Sequence, residues 1–221
     1  PAGSTGAASG TSAADDSGSP ATTGAPISGA EITIALGSEP TTLDPYVADD
    51  GGERAINDNI YETLLARTPD GELVPSLAVE LPTLVDDTTW EFKLREGVTF
   101  HDGTPFTAEA VVVTVERMVG LIENDATDQG GFYETLAGAT AVDDYTVHIT
   151  TSVPDGVLPA RMYWLKIMSP SDAAKDDLSD APNGTGPYRF VGRETGVSIE
   201  LEVNPDYWGD APSIAKVNYA F

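Results

Sequence analysis

Residues 88–118 constrain the fold of this chain more tightly than any other segment. Apolar Trp90, Phe92 and Leu94 alternate with charged residues, and this period of two predicts a strand with one buried face and one wet face. A Glu-Gly pair ends that strand, a second short strand follows, and the run His-Asp-Gly-Thr-Pro is typical of a turn. Apolar residues at helical spacing then predict a helix over 107–121, so the segment as a whole predicts a mixed α/β domain of the α+β kind.

The rest of the chain carries weaker signals of the same two kinds. Alternating apolar residues predict further strands, and helical spacing predicts one more helix. The strands are predicted at 31–36, 141–151, 188–193, 197–203 and 216–221, and the helix at 53–65. Residues 157–168 fit a short buried helix and a strand equally well, because periodicity alone does not separate the two.

The charge of the chain excludes several classes of partner. It has 36 acidic residues against 11 basic ones, which gives a formal net charge of −25. Nucleic acids and anionic membrane surfaces both repel such a chain, so neither is expected as a partner. A solvated, soluble surface accounts for the charge, and adaptation to high salt is an alternative that stays open.

The sequence gives no sign of catalysis, of a metal site or of a cofactor. It has no cysteine, and neither His101 nor His148 has a second histidine close by, so no metal site is predicted. The pair His101-Asp102 lies in turn chemistry, and the activated-serine pattern GxSxG does not occur. No apolar run approaches the roughly 20 residues of a membrane span.

Residues 1–29 differ in composition from everything that follows. They consist mainly of Ala, Gly, Ser and Thr with scattered Pro and Asp, and such a composition cannot bury enough apolar surface to become ordered. We therefore expect a disordered, flexible tether. It fits a lipoprotein leader whose signal peptide and lipid-bearing cysteine lie outside this numbering, although an arbitrary low-complexity terminus would look the same.

The string LREGVTFHDGTPFTAE at 94–109 resembles the signature of the family 5 solute-binding proteins, the receptors that deliver peptides, nickel and oligosaccharides to ABC importers. Further landmarks of that family follow in family order. They are LDP at 43–45, IYETLL at 60–65, DGELVPSLA at 70–78, GTGPYRF at 184–190 and NPDYWGDAP at 204–212. The chain departs from the family at Ala110, where an Asp is usual, and in being much shorter.

The resemblance implies a periplasmic-binding-protein-like fold of type II. The chain would supply lobe I with its side subdomain, and the second lobe would be absent. Residues 30–48 and 184–221 would form the core sheet of lobe I, and residues 49–183 the side subdomain. The ligand of the resembled proteins lies between this lobe and the second one.

The resemblance also implies which residues face the ligand. By position after the LDP landmark, Asp49, Asp50, Gly51 and Gly52 would offer a carboxylate and close-approaching backbone to a bound peptide. A helix-capping turn explains the same residues without a ligand. Tyr133 stands near the place where some peptide-binding members set an aromatic ring against the ligand, and a buried aromatic that anchors a loop is the alternative.

The implied function is binding and delivery without chemistry on the ligand. The chain would belong to an extracellular receptor that captures a short peptide, closes by a hinge and hands the peptide to the transmembrane subunits of an ABC permease. It would act at the extracellular face of the membrane through a lipid anchor, or in a periplasm. Nickel complexes, opines and oligosaccharides are alternative ligands, and a secreted carboxylate-dependent glycoside hydrolase or a fragment without ligand function are the alternatives from other classes.

Overall fold

The computed structural model of the chain describes residues 29–47, 51–173, 175, 178 and 181–221. Within these ranges it has ten strands in three sheets, four α-helices and one 3₁₀-helix. In chain order the elements are β1 (Glu31–Ala35), α1 (Gly51–Ile60), β2 (Leu65–Arg67), β3 (Leu73–Pro75), β4 (Thr83–Asp86), β5 (Thr89–Lys93), α2 (Ala108–Glu123), the 3₁₀-helix (Gly130–Phe132), β6 (Leu136–Asp143), β7 (Thr146–Thr151), α3 (Leu158–Arg161), α4 (Pro170–Ala173), β8 (Tyr188–Glu194), β9 (Ser198–Val203) and β10 (Lys216–Ala220). The predicted tether at 1–29 lies, except for Gly29, outside the described residues.

The first sheet joins the two ends of the described chain. Its order is β1-β10-β9-β8, with β1 parallel to β10 and the other neighbours antiparallel. Ile32 lies opposite Val217, and Ile34 lies opposite Tyr219. The prediction that the first and last strands share a sheet is therefore confirmed. Because β1 is an edge strand, Ile32 and Ile34 are each 37% exposed, whereas Val217 and Tyr219 are buried.

The second sheet carries the strand and helix that dominate the sequence signal. Its order is β4-β5-β7-β6, antiparallel throughout, and α2 packs against β6 and β7. Phe92, Val147 and Ile149 of this sheet share one buried cluster with Val111 and Val115 of α2. The predicted order of strand, turn and helix is confirmed.

Several strand predictions were incomplete. The single strand predicted over 141–151 is the hairpin of β6 and β7, because Asp143 Oδ1 accepts a hydrogen bond from the N–H of Tyr145 (2.9 Å) and fixes a turn. The β2–β3 hairpin and β4 were not predicted, since strands of three or four residues are too short to show alternation. The second short strand predicted after β5 is reduced to a single bridge between Thr99 and Pro105.

The two longer helices form, with ends that differ from the prediction. α1 stops at Ile60, earlier than predicted, because the next residues enter a hairpin in which the carbonyl of Leu64 accepts the N–H of Ala78 (2.9 Å). Thr107 occupies the N-cap position of α2 with extended backbone, but its side chain makes no capping hydrogen bond. The ambiguous residues 157–168 contain the short helix α3 followed by turn and extended chain.

The segment that leads into β8 runs directly against the end of α1. A Cβ on Gly184 would lie 2.0 Å from the carbonyl oxygen of Ile60, and a Cβ on Gly186 would lie 2.6 Å from the same atom. The N–H of Gly186 donates to that oxygen at 2.9 Å. Glycine is therefore required at both positions, because only a residue without a side chain lets the two backbones touch.

One buried cluster contains residues of both four-stranded sheets and of both longer helices. The mixed α/β class predicted from the sequence is confirmed. The division into a core sheet and a side subdomain at 49–183 stays a prediction.

Candidate ligand-binding face

Two cavities lie side by side on one face of the described chain. The first has a volume of about 390 Å³ and the second a volume of about 360 Å³. Both are lined by Tyr163, Trp164 and Lys166, so these three residues form the boundary between the two cavities. Volumes of this size fall at the lower end of the range for small-molecule sites.

The first cavity is built from four separate segments of the chain. Its remaining lining residues combine carboxylates, a guanidinium, an amide and an aromatic ring. They are Pro45, Glu53, Arg54, Asp128, Gln129 and Phe132. A pocket with both signs of charge and several aromatic faces suits a small zwitterion that carries apolar groups.

Tyr163 and Trp164 form an aromatic wall between the cavities. Their ring centroids lie 4.7 Å apart. The guanidinium carbon of Arg54 lies 4.5 Å from the centroid of the Trp164 ring, and that of Arg67 lies 4.2 Å from the centroid of the Tyr163 ring. Each arginine is therefore placed for a cation–π contact, which holds the cation and the ring in fixed relative positions.

Lys166 is a lining residue of both cavities. Its Nζ lies 2.6 Å from Oδ1 of Asp58, and its side chain is only 8% exposed. Its backbone carbonyl accepts the hydroxyl of the fully buried Tyr46. The lysine is thus fixed from both ends, and its charge is already balanced by a carboxylate on α1.

The loop before α1 is tied down on three sides. Gln129 Nε2 donates to the carbonyl of Pro45 (2.8 Å), and the hydroxyl of Thr127 donates to the carbonyl of Tyr46. Asp44 forms an ion pair with Arg117 of α2. These bonds fix the chain up to the point where the predicted ligand residues begin.

The family model for the bacterial extracellular solute-binding proteins, family 5 (middle part), matches residues 72–221. The chain belongs to this family. Protein XP55 of Streptomyces lividans is 35% identical over 195 residues, which are 86% of this chain and 35% of XP55. The glutathione-binding protein GsiB of Pectobacterium atrosepticum is 31% identical over 182 residues, which are 80% of this chain and 35% of GsiB.

A solved structure supports the same assignment. The periplasmic binding protein DppA of Helicobacter pylori, in complex with the peptide STSA, is similar with a TM-score of 0.75 and 27% identity, covering 86% of this chain and 42% of DppA. This family 5 chain therefore spans well under half the length of the relatives that it matches.

Of the four ligand residues predicted before and at the start of α1, the structure describes two. Asp49 and Asp50 lie outside the described residues, and the chain on either side of them ends at Val47 and resumes at Gly51. Gly51 and Gly52 open α1, whose next residues line the first cavity. A ligand contact by any of these four residues stays a prediction.

The structure places Tyr133 inside the core. It is 1% exposed, and its hydroxyl donates to the carbonyl of Arg161 (3.5 Å). Its neighbour Phe132 is 42% exposed and lines the first cavity. Of the two adjacent aromatic residues, Phe132 is the one whose ring is available to a ligand, while the contact proposed for Tyr133 stays a prediction.

Glu62, just after α1, joins three of the family landmarks by hydrogen bonds. It lies in IYETLL, and its partners lie in GTGPYRF and NPDYWGDAP. Its carboxylate accepts hydrogen bonds from Trp208 Nε1 (2.7 Å), Tyr207 Oη (2.9 Å) and Thr185 Oγ1 (2.9 Å). Burial raises the pKa of this carboxyl, and the three hydrogen bonds oppose the rise. Tyr207 and Trp208 are thus held by a partly buried carboxylate.

His101 has a structural role in the family 5 chain, because it bonds to the segment that leads into β8. Its Nε2 donates to the carbonyl of Gly186 (3.0 Å), since a carbonyl can only accept, and its backbone N–H donates to the carbonyl of Gly184 (2.9 Å). Its Nδ1 is buried without a hydrogen-bond partner among the described residues. Burial is the main reason why the pKa of His101 lies below its usual value of 6.5.

This lowered pKa predicts a loss of stability in acid. The unfolded chain binds a proton at His101 more readily than the folded chain does. The full free energy of unfolding is therefore present above about pH 6.5, and part of it is lost as the pH falls below that value. We expect the melting temperature of the parent to fall further than that of a His101→Gln variant between about pH 7.5 and pH 5. Parallel falls in the two proteins would contradict this assignment.

Among the residues that the structure describes, no group of three His, Cys, Asp or Glu side chains is placed to hold a metal ion. Within the same ranges, every helix is too short or too polar to cross a membrane.

Proposed function

We propose that this chain is part of an ABC-importer receptor that captures a short peptide outside the cytoplasmic membrane and delivers it to the transmembrane subunits of the permease. The receptor would be held at the outer face of the membrane by a lipid anchor, or would act in a periplasm. The ligand would leave unchanged, because the chain's part in the process is binding followed by hinge closure.

The first cavity carries this proposal. A short peptide at neutral pH has an ammonium group, a carboxylate and amide groups, together with apolar side chains. The cavity offers the exposed carboxylate of Asp128 to a cation, Gln129 to amides, and the rings of Phe132 and Trp164 to apolar groups. The peptide bound to DppA and the glutathione named for GsiB are both consistent with such a ligand.

Hinge closure is part of the proposal because the first cavity would cover only one side of a bound ligand. The chain covers 35% to 42% of the three relatives described above. A ligand on this face would bury one side here and the other side against the remaining lobe. Tight binding therefore requires the product of the whole gene, since a half-buried ligand makes too few contacts to offset the entropy lost on association.

Calorimetry on the product of the whole gene tests the proposal. Short peptides of two to five residues should bind, and nickel chelates, opines and oligosaccharides should bind more weakly. An opposite order would replace the peptide by another ligand of the family. Turnover of a panel of glycosides would instead support the hydrolase alternative, and no peptide binding at any concentration tested would overturn the proposal.

The two carboxylates predicted before α1 give a sharper test. Asp49→Asn and Asp50→Asn should each be measured, and we expect at least one to weaken peptide binding about tenfold or more, since a hydrogen bond to a charged group contributes roughly 1.5–3 kcal/mol. The melting temperature should hardly change.

The matched control is Asp70→Asn, which removes an exposed carboxylate from the β2–β3 turn and should leave affinity as in the parent. If Asp49 and Asp50 are instead helix caps, their variants should lose about 1 kcal/mol of stability with unchanged affinity. That result would remove them from the site.

A further inference from the structure

The second cavity has no ligand role in the function proposed so far. Besides the three residues shared with the first cavity, it is lined by residues from the end of α1 and from the β2–β3 hairpin. Those with charged side chains are Asp58, Glu62 and Arg67. The cavity is thus polar, and its charges decide what it can bind.

Most of the charged groups in the second cavity are already matched. Lys166 is paired with Asp58 at 2.6 Å. Glu62 receives three hydrogen bonds, and burial raises its pKa, a rise that those bonds and the positive charge of Arg95 only partly oppose. A negative charge on a ligand bound there would therefore be met by Arg67.

Arg67 is the unmatched cation of this cavity. Its side chain is exposed, and no described residue accepts a hydrogen bond from its guanidinium or forms an ion pair with it.

The guanidinium of Arg67 is held in a geometry that suits a carboxylate. Its guanidinium carbon lies 4.2 Å from the centroid of the Tyr163 ring, and this cation–π contact uses none of its N–H groups as hydrogen-bond donors. Those N–H groups can form two parallel hydrogen bonds to a carboxylate. Because the ring restrains the arginine beforehand, less side-chain entropy is lost when a ligand binds.

We propose that the second cavity binds the terminal carboxylate of the ligand through Arg67, with the aromatic wall between it and the ligand's amino end. This inference rests on the proposed function, because it orients the same ligand. The first cavity, with the exposed carboxylate of Asp128, takes the ammonium group, and Lys166 lies beneath the chain that crosses from one cavity to the other. The receptor would then select molecules with a free carboxylate.

Calorimetry with trialanine and trialanine amide on the product of the whole gene tests the assignment. The parent should bind the amide about tenfold to a hundredfold more weakly than the acid, as expected for the loss of a charge-assisted bidentate contact. Arg67→Gln should weaken binding of the acid by the same factor and should leave binding of the amide nearly unchanged. Lys216→Gln on β10, which changes the net charge equally, is the control and should bind both like the parent.

Equal affinity of the parent for the acid and the amide would overturn the proposal. A loss on Arg67→Gln that is the same for both peptides would also overturn it, because the arginine would then support the cavity without reading the carboxylate.

A second probe separates this inference from the proposed function. N-acetylalanine has a carboxylate and no ammonium group, and it should shift the NMR signal of the Arg67 Nε–H, whereas N-acetylalanine amide should not. If trialanine does not bind but N-acetylalanine gives this shift, the peptide function fails and the carboxylate site stands. If neither compound binds, the carboxylate site is overturned as well.

Discussion

Alanine in place of Gly184 should lower the free energy of unfolding by about 3 kcal/mol or more, at the upper end of what overpacking costs. The added Cβ would lie 2.0 Å from the carbonyl oxygen of Ile60, 2.7 Å from its carbonyl carbon and 2.9 Å from Cα of Tyr61. All three are backbone atoms, so no side chain can rotate away to make room. Relief requires that β8 and α1 move apart, which would break the hydrogen bond from Gly186 to Ile60.

Thermal unfolding with a matched glycine measures this effect. For a chain of this size the loss corresponds to a fall in melting temperature of roughly 6–12 °C. Gly192→Ala in β8 is the control, because a Cβ there meets nothing within 4 Å, and its melting temperature should stay within a degree or two of the parent. Similar melting temperatures for the Gly184 and Gly192 variants would show that the contact with α1 yields easily.

Asparagine in place of Asp44 should destabilise the chain by about 3–5 kcal/mol. The side chains of Asp44 and Arg117 are 4% and 15% exposed, so removal of the negative charge leaves a guanidinium with little water around it. Asp44 also accepts the N–H of Tyr46 (3.0 Å), and therefore the loop beside the first cavity should loosen as well. We expect weaker ligand binding in addition to lower stability.

Denaturant titration of Asp44→Asn beside Glu202→Gln tests this prediction. Glu202 pairs with Arg189 at 2.7 Å, but those side chains are 34% and 43% exposed, and exposed pairs contribute about 0–1 kcal/mol. A buried pair should therefore differ from an exposed one by several-fold in the measured loss. A loss below about 1 kcal/mol for Asp44→Asn would mean that water reaches the pair.

Local sequence signals were sufficient where one element is long and strongly periodic. β5 and α2 follow directly from alternation over 90–94 and from helical spacing after Thr107. The β2–β3 hairpin and β4 were not predicted, because each strand is too short to show an alternating pattern. The turn at Asp143 was not predicted, because apolar residues alternate with polar ones on both sides of it.

The candidate site was harder to predict because it is assembled from distant segments. The position of Asp49 and Asp50 came from the family resemblance alone. Residues 157–168 lack a clear period, so their contribution of the aromatic wall depends on packing against α1 and the β2–β3 hairpin. A usable signal was present in the string RMYWLK, which concentrates aromatic and basic residues in a chain that has few basic ones.

The parallel pairing of β1 with β10 has a consequence for the order in which this chain folds. The two strands come from opposite ends of the described sequence, so their contact closes a very long loop and is made at a high cost in chain entropy. The second sheet lies wholly within residues 83–151 and closes shorter loops. We therefore expect this sheet to form first, with β1 left unpaired until β10 is synthesised, and the folded state to be reached only after nearly the whole described chain has been made.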